Sequence, residues 1–409
     1  MNYKPRILMF APLCYPPAGS EAIVTSKLVL AMLNAGWEID VISQSDFGQR
    51  YPANGSGIWE PVRRVVHGIP AFKDRSLARG VKLPTIIQSL SWAGKAIAYA
   101  KRLTALKKYD FILSRATPLY GHLPALFIAK NSRIPWIANW SDPLPHQKAP
   151  APYGNGPKAS MPFYIDTYCA KIARNALWHT FPCERLRDYV TEYLPDIKEK
   201  SSAVPHIALK QFCRNTERAS STFVMCHVGN LTNRDPYVFL EAFRQFREKV
   251  ALDRDVAVTF VGPQSARLDD IVRRIGVSSN IRISLPKSYE DSQKIMGESA
   301  VLVLIESSCE EGIFFPSKLV DYVQTGRPVL ALSPDRGTVN DLMVSANLML
   351  PASNNSPEHV AESIEALFEA WRAGNLDAMY GSSHLLEKFS ENTILEAYKA
   401  LFDRITDGV

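Results

Sequence analysis

The segment FPSKLVDYVQTGRPVLAL, residues 315–332, carries the pair of side chains best suited to chemistry. Ser317 opens a helix that Gly326 ends, so Lys318 lies in the first turn and Asp321 follows at i+3 on the same face. A cation at a helix N-terminus opposes the macrodipole and is unfavourable there without a nearby anion. A bound diphosphate supplies that anion, and Asp321 beside it can accept hydrogen bonds from a ribose diol. The alternative, an ion pair between Asp321 and Lys318, leaves the dipole penalty unexplained. A second cation, Arg234, stands in HVGNLTNRDPYVFLEAF (227–243), just before a helix that starts near Pro236. Its guanidinium fork suits phosphate oxygens, unless it pairs with Asp235 on the surface. The loop APLCYPPAGSEA (11–22) joins a strand to a helix through small residues, so backbone N–H groups can approach phosphate there. By itself that loop also reads as an ordinary βα turn.

These residues need a scaffold, and the chain alternates strand and helix to supply one. Apolar runs at 6–13, 37–43, 111–114, 136–140, 223–229, 256–262, 281–285, 300–306 and 328–332 read as strands, with helical segments such as Ala22–Ala35 between them. That alternation predicts an α/β protein with parallel sheets. At 409 residues the chain is too long for one core. A strand–glycine loop–helix opening occurs near residue 6 and again near 223, which predicts two doubly wound domains, 1–212 and 221–385, linked by KQFCRNTERAS (210–220). A final helix from Glu391 to Ile405 lies past the last strand, and residues 391–409 are expected to pack back on the first domain. The proline-rich stretch 143–163 reads as a long irregular loop.

The composition, 46% hydrophobic and 22% charged, excludes disordered, collagenous and coiled-coil classes. Six cysteines at 14, 169, 183, 213, 226 and 309 include no C-x-x-C pair, so neither a disulfide framework nor a zinc site is indicated and a reduced, cytosolic chain is expected. Cys226 and Cys309 read as small apolar residues rather than nucleophiles. No apolar run approaches the ~20 residues of a membrane span, and residues 7–13 read as a buried strand rather than a signal peptide. No Asp-x-Asp metal motif is present, and Leu268-Asp269-Asp270 reads as part of a solvated helix.

Taken together, PPAGSEA, PWIANWSDPLP, CHVGNLTNRDPYVFLEAF, FVGP and FPSKLVDYVQTGRPVLAL resemble, in order over about residues 6–345, the retaining GT-B glycosyltransferases of family 4, which include many bacterial polysaccharide and lipopolysaccharide enzymes. The resemblance implies two Rossmann-like domains facing a central cleft, with acceptor on the first and nucleotide-sugar on the second. Gly19 and Ser20 match the family's Gly-Gly loop, which packs against donor phosphates and the acceptor. Arg234 and Lys318 match the cations that hold the diphosphate and stabilise the departing nucleotide. Asp321 matches the ribose-binding carboxylate, and Glu311 is the nearest counterpart of the carboxylate facing the donor sugar. Gly229, Asn230 and Ser317 complete the expected donor set. The pattern also departs from the family: Ile313, not an acid, stands eight residues before Asp321, and Ser141-Asp142 replaces a His-Asp pair. Asp142 remains an acceptor-side candidate. The implied reaction retains anomeric configuration and needs no metal or other cofactor, because the cations and a helix end neutralise the leaving diphosphate. The alternatives are a nucleotide-sugar epimerase of the same fold and a non-catalytic nucleotide-sugar-binding subunit.

Charge points to the acceptor. Residues 1–200 hold 26 Lys/Arg against 14 Asp/Glu, and residues 201–409 hold 21 against 27. Within 63–108 there are 11 Lys/Arg and one acid, Asp74. Ile86, Leu90, Ala93, Ile97, Ala100 and Leu103 form a helical stripe there, flanked by Trp92 and Tyr99 and by Lys95, Lys101, Arg102, Lys107 and Lys108. This basic amphipathic helix suggests docking on an anionic membrane surface, peripheral on the inner face of the cytoplasmic membrane. The alternative is a helix packed on the sheet with a solvated basic face. A docked enzyme would suit a polyprenyl-diphosphate-linked glycan acceptor. No nucleic-acid module is recognisable, so nucleic acid is not an expected partner. His122, in LYGHLPALF, is a candidate acceptor-side hydrogen-bonder, with a packing or capping role as the alternative. His206 and His227 show no ligand spacing.

Overall fold

A computed structural model of the chain describes residues 4–45, 57–71, 83–144, 154, 165–213, 222–250, 256–263, 266–348 and 356–407. The chain separates into two compact units: Met1–His146 and Ala159–Ile207 together with Ile394–Val409, and Gln147–Lys158 together with Ala208–Thr393. Each unit is built on one parallel sheet. Most of the proline-rich stretch 143–163 and most of the 210–220 link lie outside the described residues.

The first sheet contains β1 (Arg6–Phe10), β2 (Glu38–Gln44), β3 (Val66–Ile69), β4 (Phe111–Ala116), β5 (Trp136–Trp140), β6 (Trp178–Phe181) and β7 (Ser201–Ala203), in the order β3-β2-β1-β4-β5-β6-β7. The second contains β8 (Phe223–Val228), β9 (Val256–Val261), β10 (Ile281–Ser284), β11 (Val301–Ile305) and β12 (Val329–Leu332), in the order β10-β9-β8-β11-β12. This is the expected α/β class, two Rossmann-like doubly wound domains. The central strands are legible as unbroken apolar runs because helices cover both faces of a parallel sheet. Ile7 to Phe10 and Val301 to Leu304 are fully buried. Strands β3, β6 and β7 escape the sequence reading. They are short and polar (VHGI, WHTF and SSA), and their positions in the sheet come from neighbouring strands rather than from their own apolar content.

Strand order reverses between β1 and β4 and again between β8 and β11. In doubly wound sheets ligands bind beyond the carboxyl ends of the strands at such a reversal. The second reversal is held by a core in which the helix Tyr237–Val250 packs on the helix Pro357–Arg372. Phe368 meets Phe246 and Phe223 edge to face, each at 5.3 Å between centroids. The last helix, Glu391–Asp407, brings Phe402 onto Phe111, with rings stacked at 4.2 Å, and Arg404 over the Trp178 ring at 4.4 Å.

Candidate functional site

In the second unit the chain leaves β8 through Gly229, which has φ 117. A side chain there would meet Lys318 Nζ at 3.0 Å, and one on Gly262 would meet the Gly229 carbonyl oxygen at 2.3 Å. Two glycines therefore let the backbone and the lysine approach closely at the carboxyl edge of the sheet. Asn230 Oδ1 accepts from Thr232 N at 2.8 Å and from Thr232 Oγ1 at 2.7 Å, which shapes the turn. Arg234 donates to the Thr232 carbonyl at 3.2 Å. Asp235 pairs with Arg267 at 2.5 Å and accepts from Tyr237 N at 3.0 Å, so it serves the next helix.

Lys318 lies in the first turn of the helix Ser317–Thr325, which Gly326 closes at φ 72. Its Nζ stands 3.4 Å from His227 Nε2, while His227 Nδ1 is 2.9 Å from the Val303 carbonyl. A carbonyl only accepts, so Nδ1 carries the proton and Nε2 turns its lone pair toward the lysine. Burial, with the charges of Lys318 and Arg234, holds the His227 imidazole well below its ordinary value and therefore neutral. Burial also brings Lys318 down to about 7, Arg234 adding repulsion while Asp321 and Glu306 oppose the shift. Such a lysine regains its charge when an anion comes beside it. Asp321 accepts from Tyr289 Oη at 2.7 Å, Tyr289 accepts from Gln324 Nε2 at 3.2 Å, and Gln324 Oε1 accepts from Leu209 N at 2.7 Å. The carboxylate is thus fixed in orientation by a chain of hydrogen bonds.

Glu306, which the sequence reading passed over, is the buried carboxyl of this site. It directly follows β11, its backbone N donates to the Leu332 carbonyl at 2.9 Å, and it is 5% exposed. Burial pushes it up to about 8 against the pull of Arg234 and Lys318. The signal in sequence was an acid ending an otherwise apolar strand, which alone does not distinguish a site from a strand terminus. Glu311 lies farther along the same loop, with Arg336 Nη2 at 3.7 Å. The loop is anchored by Gly312, which donates to the Arg336 carbonyl at 2.9 Å and accepts from Thr338 N at 2.8 Å.

In the first unit Gly19 (φ 87) caps the helix Ser20–Asn34, with Ser20 exposed at its first position. Glu21 in that first turn pairs with Arg115 at 3.0 Å, and Ser141 Oγ lies 3.4 Å from the same oxygen. Burial raises Glu21 to about 7, Arg115 opposing and Asp142 reinforcing the rise. Asp142 accepts from Thr117 Oγ1. A small recess beside this pair is lined by Arg115, Asn139, His206 and Tyr398. His122 corrects the expectation of an acceptor-side role. It is fully buried, its Nδ1 lies 2.7 Å from Ser114 Oγ, and its ring packs 5.0 Å from that of Trp140. Burial takes its imidazole down to about 3, which makes it a neutral core residue.

The basic helix, Leu83–Leu106, needs a second correction. Trp92 is not a flanking anchor: with Ala93, Ala96, Ala100 and Leu103 it forms the buried stripe. Tyr99 Oη bonds His67 Nδ1 at 2.9 Å, and Lys107 is drawn to Asp40 at 2.7 Å. The outward face keeps Lys95, Lys101, Arg102 and Lys108 exposed, with Leu90 at 57% and Leu106 at 82% exposure.

Among the described residues no cluster of His, Cys, Asp or Glu is arranged to hold a metal ion, and no helix is long and apolar enough to cross a membrane. Asp269 and Asp270 are exposed, Asp270 pairing with Arg273 at 2.5 Å. The Cys226 thiol is buried and pushed up to about 12, which leaves it inert as a nucleophile.

The sequence matches no protein-family model and no curated protein. Solved structures are similar over the whole chain. A glycosyltransferase from Rickettsia africae ESF-5 superposes with a TM-score of 0.68 at 13% identity, covering 100% of both chains. Sucrose-phosphate synthase from Thermosynechococcus elongatus gives 0.65 at 13% identity, again covering 100% of both. A putative UDP-N-acetylglucosamine 2-epimerase from Listeria monocytogenes gives 0.60 at 13% identity, covering 98% of each chain. The fold of this chain is therefore the GT-B architecture that glycosyltransferases share with these epimerases.

Proposed function

We propose that this protein is a glycosyltransferase that moves a sugar from a nucleotide-sugar donor to a glycan acceptor in cell-surface polysaccharide synthesis. The observation that carries this reading is the pairing of Arg234 with Lys318 at the β8–β11 reversal. The two cations meet beside two glycines and a helix N-terminus, where a diphosphate is neutralised without reorganisation. Gly229, Asn230 and Ser317 are assigned to the donor at that end of the sheet, and Asp321, held by Tyr289, is assigned to the ribose. Glu311, on the loop after β11, is the carboxylate assigned to the donor sugar. In the first unit Gly19 and Ser20 are assigned to the donor phosphates and the adjoining acceptor, and Asp142 to the acceptor side. The acceptor hydroxyl bonds to the anomeric carbon from the face on which the bond to the diphosphate breaks, so configuration is retained; the departing phosphate oxygen takes the hydroxyl proton, and the two cations take the place of a metal.

The acceptor in this reading is lipid-linked, with a polyprenyl diphosphate as its anchor. The exposed cations of the helix Leu83–Leu106, with Leu90 and Leu106 among them, support docking on an anionic cytoplasmic leaflet. Vesicles of phosphatidylserine should then bind the protein in low salt and release it in high salt. Equal binding to purely neutral vesicles would remove the electrostatic basis of docking. An epimerase reading is favoured by one observation, the full-length superposition on a 2-epimerase.

A thermal-shift panel of UDP-, GDP-, dTDP- and ADP-sugars, repeated on Lys318→Ala, tests the donor assignment. One nucleotide class should raise the melting temperature of the wild type alone. Product analysis separates the chemistry: sugar on an acceptor supports transfer, and an altered free sugar supports epimerisation. Binding with no turnover, with or without acceptor, would reduce the protein to a binding subunit.

A further inference from the structure

We propose that Glu306 is the third ionisable member of the anion site and admits a diphosphate only as the neutral acid, so that ligand binding is coupled to protonation of its carboxyl. This inference rests on the reading of the Arg234–Lys318 site as a diphosphate site. The placement comes from topology. Strand β11 pairs with β8 in parallel register, Val301 with Met225 and Leu302 with Cys226, so Glu306, the residue that directly follows β11, reaches the same sheet edge as Gly229. The next residue fastens it there, since Ser307 Oγ donates to the carbonyl of Asn233, one residue before Arg234, at 2.6 Å. Glu306 is 5% exposed and its Oε2 has no hydrogen-bond partner, an orphaned buried oxygen beside two cations.

The charges around the carboxyl come from three elements. Arg234 acts from the loop after β8 and Lys318 from the helix Ser317–Thr325. Cys309, on the same loop as Glu306, feels the carboxylate and is pushed up by burial and by that charge. Behind Lys318 lie the neutral His227 and, one turn along the helix, Asp321. An ionised Glu306 would compete with phosphate for both cations and repel it at short range. The neutral acid reverses both effects, because its O–H can donate to a phosphate oxygen. The balance is simple: one solvent proton goes to a carboxylate oxygen, one O–H···O hydrogen bond forms, and no bond to phosphorus changes. Burial already holds this group near about 8, so the coupling emerges above that pH.

The test compares UDP and inorganic pyrophosphate binding to the wild type and to Glu306→Gln between pH 7 and 9.5, with proton uptake followed in weakly buffered solution. Lys318 titrates in both proteins, so the ratio of their affinities isolates Glu306. Above pH 8 the wild type should lose affinity relative to the Gln variant by roughly tenfold per pH unit. At pH 9 it should also take up nearly one proton more per ligand bound. Parallel pH profiles and equal proton uptake would overturn the inference while leaving the diphosphate site intact. Pyrophosphate binding with this pH signature but no nucleotide binding would keep the inference and sink the nucleotide-sugar reading. If neither anion binds the wild type, both fall. Should the variant fail to fold, wild-type uptake at pH 9 decides the matter: Lys318 alone takes up no more than one proton per ligand, so uptake well above one supports the coupling and uptake of one or less refutes it.

Discussion

Replacing Lys318 with Met should stabilise the protein while abolishing diphosphate binding. The lysine falls from an ordinary 10.5 to about 7, a penalty imposed mainly by burial. The unfolded chain holds that proton up to pH 10.5 and the folded chain releases it near 7. Stability therefore rises with pH between 7 and 10.5, and the penalty is complete below 7. At about 1.4 kcal/mol per pH unit the full cost is roughly 5 kcal/mol. Lys318 keeps part of its surface, so solvent screening reduces the recoverable share to about 2 kcal/mol. For a unit of this size that is roughly 4–8 °C in melting temperature at pH 6, shrinking to nothing as the pH approaches 10.5. The wild type should gain about 2.7 kcal/mol of apparent stability from its nucleotide at a hundred times Kd, and the Met variant should gain none. Differential scanning calorimetry at pH 6 and pH 9, with and without nucleotide, reads both effects. A Met variant that melts below the wild type at pH 6 and still shifts with nucleotide would make the lysine a stabilising surface cation with no ligand.

Glu306→Gln should stabilise the protein at pH 9 and change little at pH 5. The folded carboxyl keeps its proton to about 8 whereas the unfolded one loses it near 4.5, so stability falls with rising pH across that window; equal melting temperatures at pH 9 would contradict this. Gly262→Ala should unfold the second unit or cost it about 3 kcal/mol, because the new methyl would sit 2.3 Å from the Gly229 carbonyl oxygen, a backbone atom that cannot turn aside; urea titration measures the loss. Arg327→Ala should cost about 3 kcal/mol or more, since a 1%-exposed guanidinium that donates twice to the Gly297 carbonyl, at 2.9 and 2.7 Å, and once to Asp377 is removed. A melting temperature within 2 °C of wild type would show the arginine to be replaceable there.

The sequence alone determined the α/β alternation, because strands buried on both faces must be apolar throughout, and the central strands announced themselves in that way. It also exposed the strain that marks the site: a lysine in the first turn of a helix, with an arginine before another, is explicable from local electrostatics without coordinates. Helix periodicity was less informative about which face is buried. For residues 83–106 the expected stripe holds at Ala93, Ala100 and Leu103, with the Ile86 side chain outside the described residues, but the structure buries Trp92 and Ala96 rather than Leu90 and Ile97, since a helix rich in alanine lets the large indole choose the inward face. His122 misled for a related reason: a polar residue near a helix start looks exposed until Ser114 and Trp140 are found around it.

Strand order, by contrast, emerges only when the chain packs. Placing β11 beside β8 brings residues 77 positions apart, Gly229 and Glu306, to one sheet edge, and turns an unremarked acid into part of the proposed anion site. Local pattern cannot specify that pairing, because any of these apolar parallel strands satisfies the same hydrogen-bond ladder. The choice is made by which helices cover which faces, and that is settled only when the whole core packs.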